Sequence, residues 1–300
     1  MNTRHPKTGK NVVVVVKNNS GYFPDNIKEA IHVPCGRCME CRLERSRVWA
    51  IRCMHELQMY DLRKEESYFL TLTYDDKKVE HNNNLHPDHL RDFWKRLRKT
   101  GYKFKYFACG EYGDRTDRPH YHAIVFGLTI PDRRYYNHSN GYNLYNSETI
   151  ERIWMHGNVI IGNVTFESCA YVARYITKKR LGKNADKEVR EVDHETGEII
   201  DERFPEFTRM SMGIGKDFLQ RFSSDIYKKG CDGTVYIRGG VASTAPRYYD
   251  VKTEEVDRIL IEGIKEKRKE VASKKQINRD RLHAREKIAV QKEKLLKRTI

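Results

Sequence analysis

The sequence predicts an α+β chain on three observations. Aromatic and β-branched residues alternate through 68–74 and 120–126 in the manner of strands. Apolar residues recur at helical spacing through 39–64 and 87–100. A closing stretch rich in lysine, arginine and glutamate predicts a long basic C-terminal helix.

In chain order, five β-branched residues at 12–16 form a short strand, followed by a loop ending at Pro34. Residues 39–64 carry Leu43, Val48, Ala50, Ile51, Met54 and Leu57 among many arginines and glutamates, which predicts a basic helix. The strand at 68–74 is closed by Asp75 and Asp76. Pro87 and Asp88 then open a helix through Leu90, Phe93, Trp94 and Leu97. Alternation returns at 103–109, followed by a loop carrying Glu111 and a strand from His120 to 126. Residues 131–148 are polar and irregular, hence expected as a surface loop. A short strand at 157–162 and a helix at about 167–180 come next. The charged stretch 182–202 is expected to be a flexible insertion, and 204–249 is ordered but resists assignment. No proline follows Pro246 and no glycine follows Gly263, so the remainder is expected as one solvated helix. The expected boundaries are an N-terminal extension at 1–65, a core domain at 66–250 and a basic helical tail at 251–300.

Composition narrows the function. The 300 residues hold 57 Lys+Arg against 42 Asp+Glu, a net charge of +15. A surface this basic attracts polyanions, and neutralising phosphates releases counterions. No apolar run approaches the ~18 residues of a membrane span. The start, Met1-Asn-Thr-Arg-His5, lacks the apolar stretch of a secretion signal. Seven cysteines, three of them clustered at Cys35, Cys38 and Cys41, fit a reducing compartment better than a disulfide framework. A cytoplasmic protein is therefore expected.

The chemistry concentrates in two places. Side chains on a strand repeat every two residues, so His120 and His122 share a face while Tyr121 points away. Glu111 can reach the same point across a short return. Two neutral nitrogens and a carboxylate suit Mg²⁺ or Mn²⁺ acting on phosphate, with positions left open for substrate oxygens. The other histidines, among them His55, His86, His89, His138 and His156, sit in polar contexts and read as bystanders.

About 50 residues on, Tyr171, Tyr175 and Lys178 fall on one helix face. Two tyrosines so spaced are commonly packing residues, but Arg174, Lys178, Lys179 and Arg180 make this helix electropositive. A free phenol is ionised about one part in a thousand at pH 7, a deficit of about 4 kcal/mol. Lysines and a metal-bound phosphate supply stabilisation of that order as charge develops. Such a phenol can attack phosphorus and displace a deoxyribose 3′ oxygen, leaving a 5′-phosphotyrosyl link and a free 3′-OH. A second phenol allows a second cut, and the freed 3′-OH can attack the first link.

Phe69-Leu-Thr-Leu-Thr-Tyr74, Gly110-Glu-Tyr-Gly113, Arg118-Pro-His-Tyr-His-Ala-Ile-Val-Phe-Gly127 and Tyr171-Val-Ala-Arg-Tyr-Ile-Thr-Lys-Lys179 stand in this order. In these motifs the chain resembles the HUH endonucleases, and among them the replication initiators of small single-stranded DNA bacteriophages of the microvirus (gokushovirus) type. Pro34-Cys-Gly-Arg-Cys-Met-Glu-Cys41 and Met212-Gly-Ile-Gly215 fit the same likeness, which spans about 34–220. The resemblance implies a central antiparallel sheet with flanking helices, rolling-circle replication and nicking of single-stranded origin DNA. It implies metal ligation by Glu111, His120 and His122, nucleophiles Tyr171 and Tyr175, and Lys178 as helper of the active tyrosine. Arg118, Arg174 and Lys179 are the accompanying DNA-contact candidates. The setting it implies is the bacterial host cytoplasm. No Gly-x-x-x-x-Gly-Lys-Ser/Thr loop is present, so unwinding and synthesis would fall to a host helicase and polymerase.

Cys35, Cys38, Cys41 and Cys53 could supply four thiolates to a structural Zn²⁺, though the spacing equally fits unligated thiols and partly resembles iron–sulfur runs. Two other functions are compatible with the pattern. A transposase of the same superfamily shares the chemistry. A non-catalytic nucleic-acid module on a ferredoxin-like sheet, with aromatics such as Tyr106 stacking bases, has no need of the converging ligands or the tyrosine pair.

Overall fold

Alternation along β1 (Ser67–Thr73) divides the molecule into two layers. Tyr68, Leu70 and Leu72 point to one face, where they pack beneath α2 (Pro87–Lys99) and α3 (Glu148–Trp154). Phe69 points to the other, toward α1 (Met39–Leu62) and α4 (Phe166–Lys178). The computed structural model describes residues 36, 38–76, 83–113, 116–139, 141–178, 189–192, 196, 199–227, 233–237, 240–274 and 279–295. Backbone contacts separate a unit ending at Cys35 from one spanning Gly36–Ile300, and all the described residues belong to the second. The strand expected at 12–16 lies outside them.

β1 is central in a seven-stranded antiparallel sheet completed by β2 (Lys105–Tyr112), β3 (Pro119–Phe126), β4 (Arg134–Ser139), β5 (Tyr142–Asn146), β6 (Val159–Asn163) and β9 (Phe207–Met210). The strand order is β4-β5-β6-β1-β3-β2-β9. The α+β architecture, a central antiparallel sheet with flanking helices, is as the sequence predicts. Pro87 begins α2, Asp88 lies in its first turn and Arg96, Arg98 and Lys99 in its last, all favourable to the helix dipole. Its Leu90, Phe93, Trp94 and Leu97 form the buried stripe.

Helix α1 ties the sheet to the C-terminal part through buried polar groups. Glu56, with no exposed surface, accepts from Lys105 Nζ at 2.7 Å and from the Gly215 amide at 2.6 Å. Arg52 donates twice to the Ile214 carbonyl, at 3.0 and 2.9 Å, and is sandwiched between Trp49 and Tyr248. His55 is buried too, with Nδ1 2.8 Å from Tyr249 Oη and its ring stacked on Phe218. Its polar sequence neighbours concealed that burial.

Three stretches differ from expectation. Residues 131–148 contain the β4–β5 hairpin and the start of α3 in place of a loop. Every β4 residue is exposed, so this edge strand carries no apolar alternation to read. Within 182–202, β7 (Val189–Val192) pairs antiparallel with β8 (Ile199–Arg203), while most of the remaining stretch is outside the described residues. The C-terminal segment is divided into α6 (Arg247–Glu254), α7 (Arg258–Ser273) and α8 (Arg279–Leu295). The Asp257 side chain accepts the Leu260 amide and begins α7 anew. Ile261 and Ile264 pack with Leu219 and Tyr249 beside α5 (Lys216–Ile226) and the β10 (Thr234–Ile237)–β11 (Val241–Thr244) ribbon. The tail is thus anchored in a third core. Among the described residues no helix is long and apolar enough to cross a membrane.

Gly215 begins α5 at φ 79°, and an added Cβ would lie 2.5 Å from the hydroxyl of fully buried Tyr249. Left-handed strain plus overpacking predicts that Gly215→Ala lowers unfolding free energy by about 2–4 kcal/mol, readable in urea titrations. Burial pulls the His55 imidazole from 6.5 down to about 4. The unfolded chain then takes up a proton that the folded one refuses. Stability should be full above about pH 6.5 and fall toward pH 4 by up to about 3 kcal/mol. That component should vanish in His55→Asn, and an unchanged slope would refute the assignment.

Candidate functional site

Antiparallel register builds the site. Glu111 pairs across β2–β3 with His120, and Thr71 pairs across β1–β3 with His122. All four therefore point to the α1/α4 face, while Tyr121 is buried on the other. Glu111 was expected on a loop; it lies in β2, with the hairpin turn starting only at Gly113, whose amide donates to the Arg118 carbonyl. The direct strand pairing holds it more firmly than a loop would.

Glu111 Oε1 lies 2.9 Å from His120 Nε2 and 3.0 Å from His122 Nε2. Each ring is oriented from behind. His120 Nδ1 is 3.1 Å from the Arg118 carbonyl, which can only accept, so Nδ1 carries a hydrogen. His122 Nδ1 is 3.0 Å from the Thr71 hydroxyl. Both Nε2 atoms are thereby turned to Glu111, the arrangement in which metal-ligating imidazoles are held.

Burial raises the Glu111 carboxyl, yet hydrogen bonds from both histidines outweigh it and bring the carboxyl to about 2. For His120, burial opposes the charged form, but bonding and proximity to Glu111 prevail and raise its proton affinity. Deeper burial lowers His122, only partly offset by Glu111. The site therefore holds a carboxylate, a neutral imidazole and one easily protonated imidazole whose proton a cation can replace.

The donor set fits a divalent ion. Its three ligand atoms lie within 4.8 Å of one another. An octahedral ion with bonds of about 2.1 Å places neighbouring ligands roughly 3.0 Å apart, close to the spacing seen. Two imidazoles favour Mn²⁺ over Mg²⁺, whose preference is for oxygen.

Tyr171 reaches this centre from α4. The helix start is braced reciprocally: the Thr165 amide donates to Ser168 Oγ at 2.8 Å, and the Ser168 amide to Thr165 Oγ1 at 3.2 Å. Tyr171 then projects at the sheet, its hydroxyl donating to Glu111 Oε1 at 3.4 Å and lying 3.5 Å from His122 Nε2. Phe69 meets both the Tyr171 and His122 rings. Arg174, Tyr175 and Lys178 follow on the α4 backbone, but their side chains lie outside the described residues, as does Lys179 altogether. Arg118 braces the end of β1, bonding to Asp76 and, at 3.0 Å, to the Tyr74 carbonyl.

The proposed four-cysteine site is not assembled as expected. Cys41 and Cys53 both lie in α1, twelve residues or about 18 Å apart along its axis, too far to share an ion. Cys53 is instead fully buried in the core with Phe107 and Cys169. Cys38 is exposed and Cys41 half-buried, and Cys35 lies outside the described residues. Tyr106, a candidate base platform, stacks on Trp94 with centroids 4.4 Å apart. Sequence reading missed a second gathering: His86, Asp88 and His89 bring ligand atoms within 4.8 Å, with His89 stacked on His156. It also missed the orienting roles of Thr71 and the Arg118 carbonyl, because neither is visible until strands are paired.

Comparison with known proteins supplies a family. Residues 67–180 match the family profile described as replication-associated protein ORF2. Replication-associated protein ORF2 of Spiroplasma virus 4 is 34% identical over 254 residues, covering 81% of this chain and 74% of that protein. Replication-associated protein VP4 of Bdellovibrio phage phiMH2K is 34% identical over 226 residues, 72% of this chain and 65% of that protein. Replication-associated protein ORF4 of Chlamydia phage 1 is 35% identical over 157 residues, 49% of this chain and 38% of its own. No solved structure matches the chain.

Mn²⁺ titration by calorimetry should register the ligand set. Glu111→Gln and His122→Ala should each weaken binding at least about tenfold, and Thr71→Val about 10–100-fold through loss of ring orientation. Wild-type affinity in Glu111→Gln would exclude this centre.

Proposed function

The chain belongs to the replication-associated protein ORF2 family, whose relatives above come from a Spiroplasma virus and from phages, and from that premise we propose that it nicks and rejoins single-stranded DNA to start phage rolling-circle replication. The observation that carries this reading is the Tyr171 hydroxyl, within 3.5 Å of two members of a three-ligand group on one sheet face. A nucleic-acid module without catalysis has no use for that convergence.

Glu111, His120 and His122 would hold Mn²⁺ or Mg²⁺. When bound, the ion supplies Lewis acidity at a non-bridging phosphate oxygen. Tyr171, or Tyr175 one turn further along α4, attacks phosphorus. The phenolic O–P bond forms, the P–O3′ bond breaks, the phenol loses its proton and the 3′ oxygen gains one. A 5′-phosphotyrosyl link and a free 3′-OH result. Lys178, with Arg174 and Lys179, would favour the phenolate and the nearby phosphates. A second tyrosine lets the 3′-OH of one cut rejoin to the link of another, so strands are exchanged by transesterification without net hydrolysis. The reading places this activity within residues 66–250, flanked by 1–65 and 251–300, in the host cytoplasm alongside a host helicase and polymerase. A Zn²⁺ on the remaining N-terminal cysteines would be structural only.

Incubation with phage-derived single-stranded DNA and Mn²⁺ should yield a covalent protein–oligonucleotide adduct that EDTA abolishes. Tyr171→Phe combined with Tyr175→Phe should reduce the adduct at least about a thousandfold, consistent with removing a covalent nucleophile. Nicking that survives the double substitution would disprove the tyrosine assignment.

A further inference from the structure

The metal centre opens sideways into a cavity of about 190 Å³ that the nicking chemistry does not itself require. Phe69 and Thr71 of β1 and Ile160 and Gly162 of β6 form its floor. The β4–β5 hairpin roofs it with Ser139, Tyr142 and Leu144. Its end wall is His122 and Tyr171. Anything seated here touches both a metal ligand and the candidate nucleophile.

We propose that this cavity holds one nucleobase of the single-stranded substrate, next to the phosphate that is cut, and that the β4–β5 hairpin thereby sets where the nick falls. The inference rests on the nicking reading and adds the substrate element that the site selects. Size is the first argument: pockets for drug-sized ligands occupy about 300–1,000 Å³, so 190 Å³ suits one flat ring system. Lining is the second. Phe69 and Tyr142 offer aromatic faces, Leu144 and Ile160 aliphatic ones, and among the described residues no lysine or arginine enters, so the cavity suits a base and not its phosphate. The chain's charge of +15 supplies backbone attraction from outside.

Polar groups are few. Ser168 Oγ is already committed to Thr165, accepting its amide hydrogen and donating to its carbonyl. Asn163, exposed on the cavity lining, carries an amide able to donate and accept along a base edge. Gly162 keeps the floor open: a Cβ there would sit 3.6 Å from Leu144 Cδ2, inside the space between floor and roof.

The test uses the full chain, Mn²⁺ and phage-derived single-stranded oligonucleotides whose nick position has been mapped. A single abasic residue is then placed at each position around the nick. Wild type should lose adduct-forming rate about tenfold or more at one position adjoining the nick, as expected for losing one base–aromatic stack. Leu144→Trp fills the cavity and should slow the intact substrate similarly while abolishing the difference between intact and abasic DNA. Tyr142→Ala, milder on an exposed hairpin, should slow the intact substrate without further slowing the abasic one. Retained Mn²⁺ binding by both variants excludes misfolding. Wild-type adduct formation indifferent to abasic residues at every adjoining position would overturn the base pocket and leave nicking intact. So would unchanged discrimination in Leu144→Trp. No adduct with any substrate would overturn both readings.

Discussion

Everything at the candidate site depends on antiparallel register. In β3 a shift of one residue would turn His120 and His122 into the apolar layer and bring Tyr121 out between Glu111 and Thr71. The register is held from the opposite face. Tyr121 is fully buried, and its hydroxyl bonds to Tyr74 Oη at 2.7 Å and to the main chain of His86. A slip would strand a bulky phenol among charges and two imidazoles in the apolar layer. Packing on one face therefore enforces chemistry on the other.

Much of the core was legible because strong periodicity and full burial coincide there. β1, α2 and β3 read directly from alternation or helical spacing, and His120, His122 and Tyr171 stood out on those elements and on α4. Their convergence required strand pairing, which single-sequence patterns do not carry. Glu111 was recognised as a ligand yet placed on a loop, since Gly110 and Gly113 beside it look like turn residues. Gly110 is in fact a strand residue whose missing side chain lets Phe207 approach: a Cβ there would lie 2.8 Å from the Phe207 ring.

Polar surfaces hid structure in both directions. β4 is exposed throughout, so its sequence is that of a loop although its backbone is a strand. Conversely, Arg52, His55 and Glu56 look solvated by composition and are buried, each held by a named partner from the C-terminal part. Such groups are tolerated inside only when satisfied. Their partners lie more than 150 residues away, beyond any local window. The continuous basic tail was likewise interrupted by one capping aspartate and anchored by two isoleucines.

The ligand hairpin and the tyrosine helix differ sharply in how far apart their partners lie along the chain. His120 and Glu111 are nine residues apart, whereas Tyr171 and Glu111 are 60 apart. Chain-closure entropy makes the longer connection costlier by roughly 1.7 kcal/mol. Cation capture is thus a short-range property of two adjoining strands, while the attacking hydroxyl arrives only with tertiary docking of α4. A nascent chain could sequester its ion before acquiring any means to cleave.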